Sequence, residues 1–345
     1  MDLGKRDLFG SIFVAVVTFF FLSNQMLFMV NDPLMRDGSM LTGTRYTITK
    51  DALITIAEDD SQSVIGMGSS QMFKALDGNC ITNELTNNVS VYNIAQPSSR
   101  PYTDMLHIPR IVDTNPDIVL IEVAPNILIN TSKSSEEYVE LRFKLDTMNQ
   151  DSTDIGGWVE IIDPDHMEWL ALNNLERMKF KQDYFLAATE ERLTRLLLDE
   201  SSARDVDAYG YIPDSDSELW VDYLKTPTFP ADRYGFDGKS PEQREEYNNT
   251  QMEKTANYKP AFSDSQSHAA LDYEISTLLK NEINVILVGP PHHPLALSHV
   301  PQNKWDGMNH TLQKYSNWPG VTIVDFTWSD GWIDDHFYDR NHLDY

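Results

Sequence analysis

Cysteine is almost missing from this chain. Cys80 is the single one in 345 residues, so no intrachain disulfide can form and stability must come from the core. No histidine or basic residue accompanies Cys80 locally, which reads as a small buried filler rather than a reactive thiol. Positive charge is scarce as well. Lys and Arg number 27 against 53 Asp and Glu, a net charge of −26. Phosphate backbones need basic partners, so this balance argues against a nucleic-acid surface. It reads instead as a solvated acidic exterior. Internal repeats and low-complexity tracts are also missing.

What is present begins with residues 8–30, which carry no charge. The segment is long enough to cross a bilayer as a helix. Lys5 and Arg6 precede it, and Asp32 and Asp37 follow. The positive-inside rule then places residues 1–7 in the cytoplasm and the remainder of the chain outside the cell membrane. A cleaved signal peptide is the alternative, but the run is long for one and no clear small-x-small site follows. Asn-x-Ser/Thr triplets at Asn88, Asn130, Asn248 and Asn309 are compatible with surface glycosylation under that topology. Residues 31–60 read as a stem with a leading strand, because 46–49 and 52–57 have alternating, β-branched character.

From residue 61 the pattern alternates between strand and helix. Val64–Gly66 reads as a first core strand, and 71–76 as a helix ended by Asp77-Gly78. Residues 89–95 read as a strand, 102–113 as a helix, and 118–123 as a strand so apolar that it must be covered on both sides. That order implies right-handed crossovers and a parallel sheet. Residues 132–260 interrupt it. Helical periodicity occupies 136–148 and 166–198, and a stretch rich in Asp, Pro, Gly and Tyr follows, suited to a lid or a surface wrap. His166, beside Asp163 and Asp165, fits a capped helix start better than a metal site. The alternation resumes with an apolar stripe at Leu271, Ile275, Leu278 and Leu279, a strand at 285–288, a helix at 312–317 and a strand at 321–326. Residues 61–131 and 261–345 are thus expected to be two halves of one α/β domain, with 132–260 inserted.

In an open parallel sheet, ligands bind beyond the carboxyl ends of the strands. There this chain delivers Ser69 and Ser70, then Asn93 and Gln96, then Asn126, then His292 and His293, and finally Asp339 and His342. Acyl transfer needs such a set: a hydroxyl that attacks, an imidazole that takes its proton, a carboxylate that orients the imidazole, and amides that hold the oxyanion. The run Asp334-Asp335-His336 with Asp339 and His342 could instead hold a divalent metal. The triad reading is preferred because it uses the rest of the chain, and no metal or other cofactor is expected.

Gly68-Ser69-Ser70, Asn126 after a buried strand, and Asp339-x-x-His342 together resemble the SGNH hydrolase superfamily. The nearer likeness is to its membrane-anchored branch with Gly-Ser-Ser, which includes the D-alanyl-lipoteichoic acid transfer protein and relatives of alginate O-acetylation proteins. The likeness spans about 60–131 and 265–345. It implies a flavodoxin-like, SGNH-type parallel sheet flanked by helices, with a largely helical insertion and an N-terminal transmembrane helix. It implies Ser70 as nucleophile, His342 as base, Asp339 as its orienting acid, and Ser70 with Asn126 as oxyanion donors. The family's second-block glycine has no clear counterpart. Gln96 falls near its place as the third oxyanion donor, with Asn93, His292 and His293 as substrate contacts. The implied activity is an extracytoplasmic serine esterase or O-acyltransferase acting on a cell-surface glycan or acylated polymer, with a membrane acyl-donor protein as partner. The alternative is a non-catalytic glycan-binding or scaffold protein of the same fold.

Overall fold

The computed structural model describes residues 8–19, 49, 52–57, 61–85, 89–125, 127–128, 139–140, 142–143, 157–167, 179, 224–225, 240–256, 266–329, 331–333, 336–337 and 342–343. The ordered elements are β1 (Gln62–Met67), α1 (Ser70–Ala75), α2 (Gly78–Glu84), β2 (Val89–Asn93), α3 (Pro101–Asp104), α4 (Ile108–Thr114), β3 (Ile118–Glu122), α5 (Pro241–Ala256), α6 (Gln266–Lys280), β4 (Asn284–Gly289), α7 (Pro294–His299), α8 (Gln302–Tyr315) and β5 (Val321–Asp325).

All five strands are parallel, in the order β2-β1-β3-β4-β5. This is the flavodoxin-like order, with its switch point between β1 and β3. β3 and β4 are neighbours although the insertion separates them in sequence. Asp117 ties the three central strands at their start. Its Oδ2 accepts from Ser63 N–H at 2.9 Å, and its carbonyl accepts from Asn284 N–H at 3.2 Å.

Period-two alternation assigns the two faces. Ile65, Met67, Val119, Ile121, Val285 and Leu287 enter one core with Ile111 of α4, Leu271 and Ile275 of α6, and Trp305 and Met308 of α8. Val64, Leu120 and Val288 point to the other face, where Met72, Phe73 and Leu76 of α1 cover them.

Several local expectations change. Residues 52–56 are helical, not strand, and Ala52, Leu53 and Ile56 turn one buried side into the main core. Asp77 does end α1, but it also starts α2: its Oδ1 accepts from Cys80 N–H at 2.9 Å. That places Cys80 on an exposed helix turn, not in the core. α8 begins ten residues before the expected 312, since Trp305, Met308, Leu312 and Tyr315 form one buried stripe. α5 occupies a stretch expected to be irregular. Asp163 caps the turn Pro164–His166, accepting from Asp165 N–H at 3.0 Å, and His166 Nδ1 meets Tyr102 Oη at 3.1 Å.

Residues 8–19 are helical and exposed. No described helix is long and apolar enough to cross a membrane; the rest of the expected span lies outside the described residues. Most of 136–148 and 168–198 lies outside them too. Of the triplets, Asn248 falls on α5 and Asn309 on α8, while Asn88 and Asn130 are not among the described residues.

Candidate active site

The site is built on the turn from β1 into α1, at the switch point. Ser69 caps α1 with extended backbone, φ −88° and ψ −168°, and its Oγ accepts from Gln71 N–H at 3.2 Å. A second support comes from β3. Glu122 is the one acid in Ile118–Glu122 and is 1% exposed. Its Oε2 accepts from Ser69 N–H at 2.5 Å and from Met72 N–H at 3.4 Å, and its Oε1 accepts from Ser69 Oγ at 2.9 Å. The carboxylate thereby takes up amides that a helix start leaves without intrahelical partners. Burial pushes the Glu122 carboxyl up, opposed by the Ser69 and Met72 hydrogen bonds and by the nearby His342.

Gly68 makes that approach feasible. It sits at φ +149°, and a Cβ there would lie 2.5 Å from Glu122 Cβ and 2.5 Å from Oε2. Only glycine adopts this backbone and leaves the space.

Ser69 and Glu122 fix the turn so that Ser70 Oγ projects past the sheet end, half-buried. His342 Nε2 lies 2.9 Å from it, across 272 residues of sequence. An antiparallel bridge between Phe337 and Leu343 ties the ends of the segment that carries His342. Phe337 packs on His293 at 5.2 Å and on Trp332 at 6.0 Å between ring centroids, anchoring that segment to the β4 loop. Of the first α1 amides, those of Gln71, Met72 and Phe73 are engaged, by Ser69 Oγ, Glu122 and Ser69 O. Among the described residues no hydrogen bond engages the Ser70 N–H.

The other expected residues fare differently. Asn126 and Asp339 lie outside the described residues. Gln96 is not positioned as an oxyanion donor: its N–H donates to Gly68 O at 2.9 Å, and its side-chain amide meets His107 Nε2 at 2.9 Å. Asn93 is spent inside the fold rather than on a substrate. Its Nδ2 donates to the carbonyls of Met72, Phe73 and Leu76 at 3.3, 2.9 and 2.9 Å, closing the end of α1, and its Oδ1 accepts from Ala95 N–H at 3.1 Å. His292 and His293 are 1% and 0% exposed, so neither lines an open surface. His292 packs on Trp305, pairs its Nδ1 with Pro290 O at 2.9 Å and approaches the Gln71 amide at 3.3 Å. Among the described residues no group of three His, Cys, Asp or Glu could hold a metal ion.

Neither a family model nor a curated protein matches the chain. Its chemistry is therefore read from the site itself. Glu122 is the functional residue that sequence reasoning missed. Its signal was there: a carboxylate within a strand covered on both sides needs hydrogen-bond partners, and the nearest strand-end turn supplies them.

Proposed function

We propose that the chain is a membrane-anchored, extracytoplasmic serine esterase or O-acyltransferase of the SGNH type. The observation that carries this reading is the 2.9 Å contact between Ser70 Oγ and His342 Nε2 at the switch point of the sheet. His342 Nε2 takes the Ser70 proton as Oγ attacks an ester carbonyl. The carbonyl oxygen becomes an oxyanion, held by the Ser70 N–H and by Asn126, the donors that the resemblance implies. Collapse breaks the ester bond, and the leaving alkoxide takes the proton from His342. The acyl-enzyme is then resolved by water or by a sugar hydroxyl, which gives its proton to His342 as it attacks; collapse breaks the acyl–Ser70 bond, and Ser70 Oγ takes that proton back. Asp339 would orient the imidazole, and Glu122 is a positioning residue that holds the turn. The substrate class is a surface glycan or acylated polymer, and in the transferase form a membrane acyl-donor protein supplies the acyl group.

The test is p-nitrophenyl acetate hydrolysis by the full chain beside Ser70→Ala and His342→Ala. Each variant is expected to lose about 10³-fold or more in kcat/KM. Equal turnover in all three would overturn the mechanism. The engagement of the Gln96 N–H by Gly68 removes one donor that the family's second block normally supplies, and this favours the non-catalytic glycan-binding reading as the runner-up. Absence of turnover together with glycan retention would establish that reading.

A further inference from the structure

We infer that the acyl group carried by this site is a medium-length aliphatic chain, seated in an apolar pocket beneath the residues that flank Ser70 and His342. The inference rests on reading Ser70 and His342 as an acyl-transferring pair. The pocket has a volume of about 340 Å³ and is lined by apolar side chains throughout. Leu120, Ile286, Val288 and Val324 form its floor. They lie on one face of the sheet, because Leu120 pairs with Ile286 and Val288 with Val324 in register.

The same face carries the active-site support. Glu122 follows Leu120 by two residues and pairs with Val288, so the floor begins one side-chain step, roughly 7 Å, below the carboxylate that holds the Ser69–Ser70 turn. The walls repeat the relation. Met72, Ala75 and Leu76 come from the helix that Ser70 starts, and Leu343 follows His342 directly. The trough is thus walled by residues that follow the nucleophile in its helix and the base in the chain. At the strand ends Phe326 and Trp332 line it, and Phe326 remains 43% exposed.

Leu120, Ile286, Val288 and Val324 are only half-buried, so the trough is an open apolar groove, and an aliphatic chain laid in it removes that surface from water. The space is many times what one water-sized group needs, so it suits an aliphatic chain of several methylene groups. An acetyl or alanyl group would leave most of it empty. The exposed aromatic rim gives a chain leaving a lipid an apolar path inward.

The test is a p-nitrophenyl ester series from acetate to dodecanoate, run on the full chain with Ala75→Phe and Val324→Phe. Each methylene is expected to raise kcat/KM by up to about fourfold until the trough fills. Either phenylalanine should flatten that slope, and two walls are used so that one misfolded variant does not end the test. In parallel, decanoate binding to Ser70→Ala is measured by calorimetry, with and without Ala75→Phe. Saturable binding weakened at least tenfold by Ala75→Phe upholds the pocket whether or not any ester turns over. A flat, Ser70-dependent slope, or no decanoate binding, overturns the pocket and leaves the esterase standing. Turnover that survives Ser70→Ala overturns the reading of the site instead.

Discussion

Two glutamates of this protein are equally buried and differently treated. Glu122, on β3, is 1% exposed and Glu274, on α6, is 0% exposed. Glu122 is surrounded by donors from the β1–α1 turn. Glu274 lies against the helices on the other face of the sheet, and among the described residues neither of its oxygens has a hydrogen-bond partner. Burial raises both carboxyls, but Glu274 far more, with the charge of Asp104 adding to the effect. Asp104 itself is pushed up to about 7, mainly by burial and against its hydrogen bond to Ser99 and the charge of Arg142. The comparison shows how one fold treats an acid it uses and an acid it merely encloses. Where hydrogen bonds replace water, a carboxylate organises backbone. Where they do not, burial favours the protonated form.

Removing the partnered acid should do the most damage. Glu122→Ala strands the Ser69 and Met72 amides in a dry site, and a loss of about 3–5 kcal/mol is expected in urea unfolding. Glu122→Gln keeps one acceptor oxygen and should recover part of both stability and ester turnover. Equal damage from the two variants would mean that packing, not hydrogen bonding, is the carboxylate's role.

Crowding the same acid from the other side comes next. Gly68→Ala places a Cβ against Glu122 at a backbone angle that L-residues avoid, so about 2–3 kcal/mol should be lost, with kcat falling alongside. Unchanged thermal stability would show that the turn has another way to fit.

The unpartnered acid should behave in the opposite sense. Because Glu274 holds its proton more tightly folded than unfolded, its contribution is fully present below pH 4.5 and is lost as pH rises toward the raised folded value. Glu274→Gln should therefore raise stability at pH 8 and leave pH 4 nearly unchanged. Asp104 titrates with the same sign, so some slope remains in the variant. Denaturant midpoints at both pH values measure the difference, and a variant less stable than the parent at pH 8 would reverse the comparison.

The smallest effect belongs to the relay between turn and acid. Ser69→Ala removes the Gln71 cap and one Glu122 contact, and about 1 kcal/mol is expected. Its turnover should fall less than that of Glu122→Ala, because the Ser69 backbone N–H still reaches Glu122.

The parallel sheet was legible in the sequence, since nearly continuous apolar runs such as Ile118–Val123, broken only by Glu122, and Val285–Val288 have one stable use, as strands covered on both faces. Ser70 and His342 were legible through the Gly-Ser-Ser and Asp-x-x-His blocks and the resemblance that these carry, and the fold brings the two side chains within 2.9 Å. Tertiary structure alone decided what the remaining polar residues do. Asn93, Gln96, His292 and His293 stand at strand ends just as Ser70 does, yet carbonyls and rings a few ångströms away claim them for the interior. Helix 52–56 reads locally as strand and was settled by the core that Leu53 and Ile56 could reach. Sequence pattern records which side chains avoid water. Which donors stand within 3 Å of a given acceptor depends on distant segments meeting, and Glu122 acquired its role only when β3 came to lie beside β1.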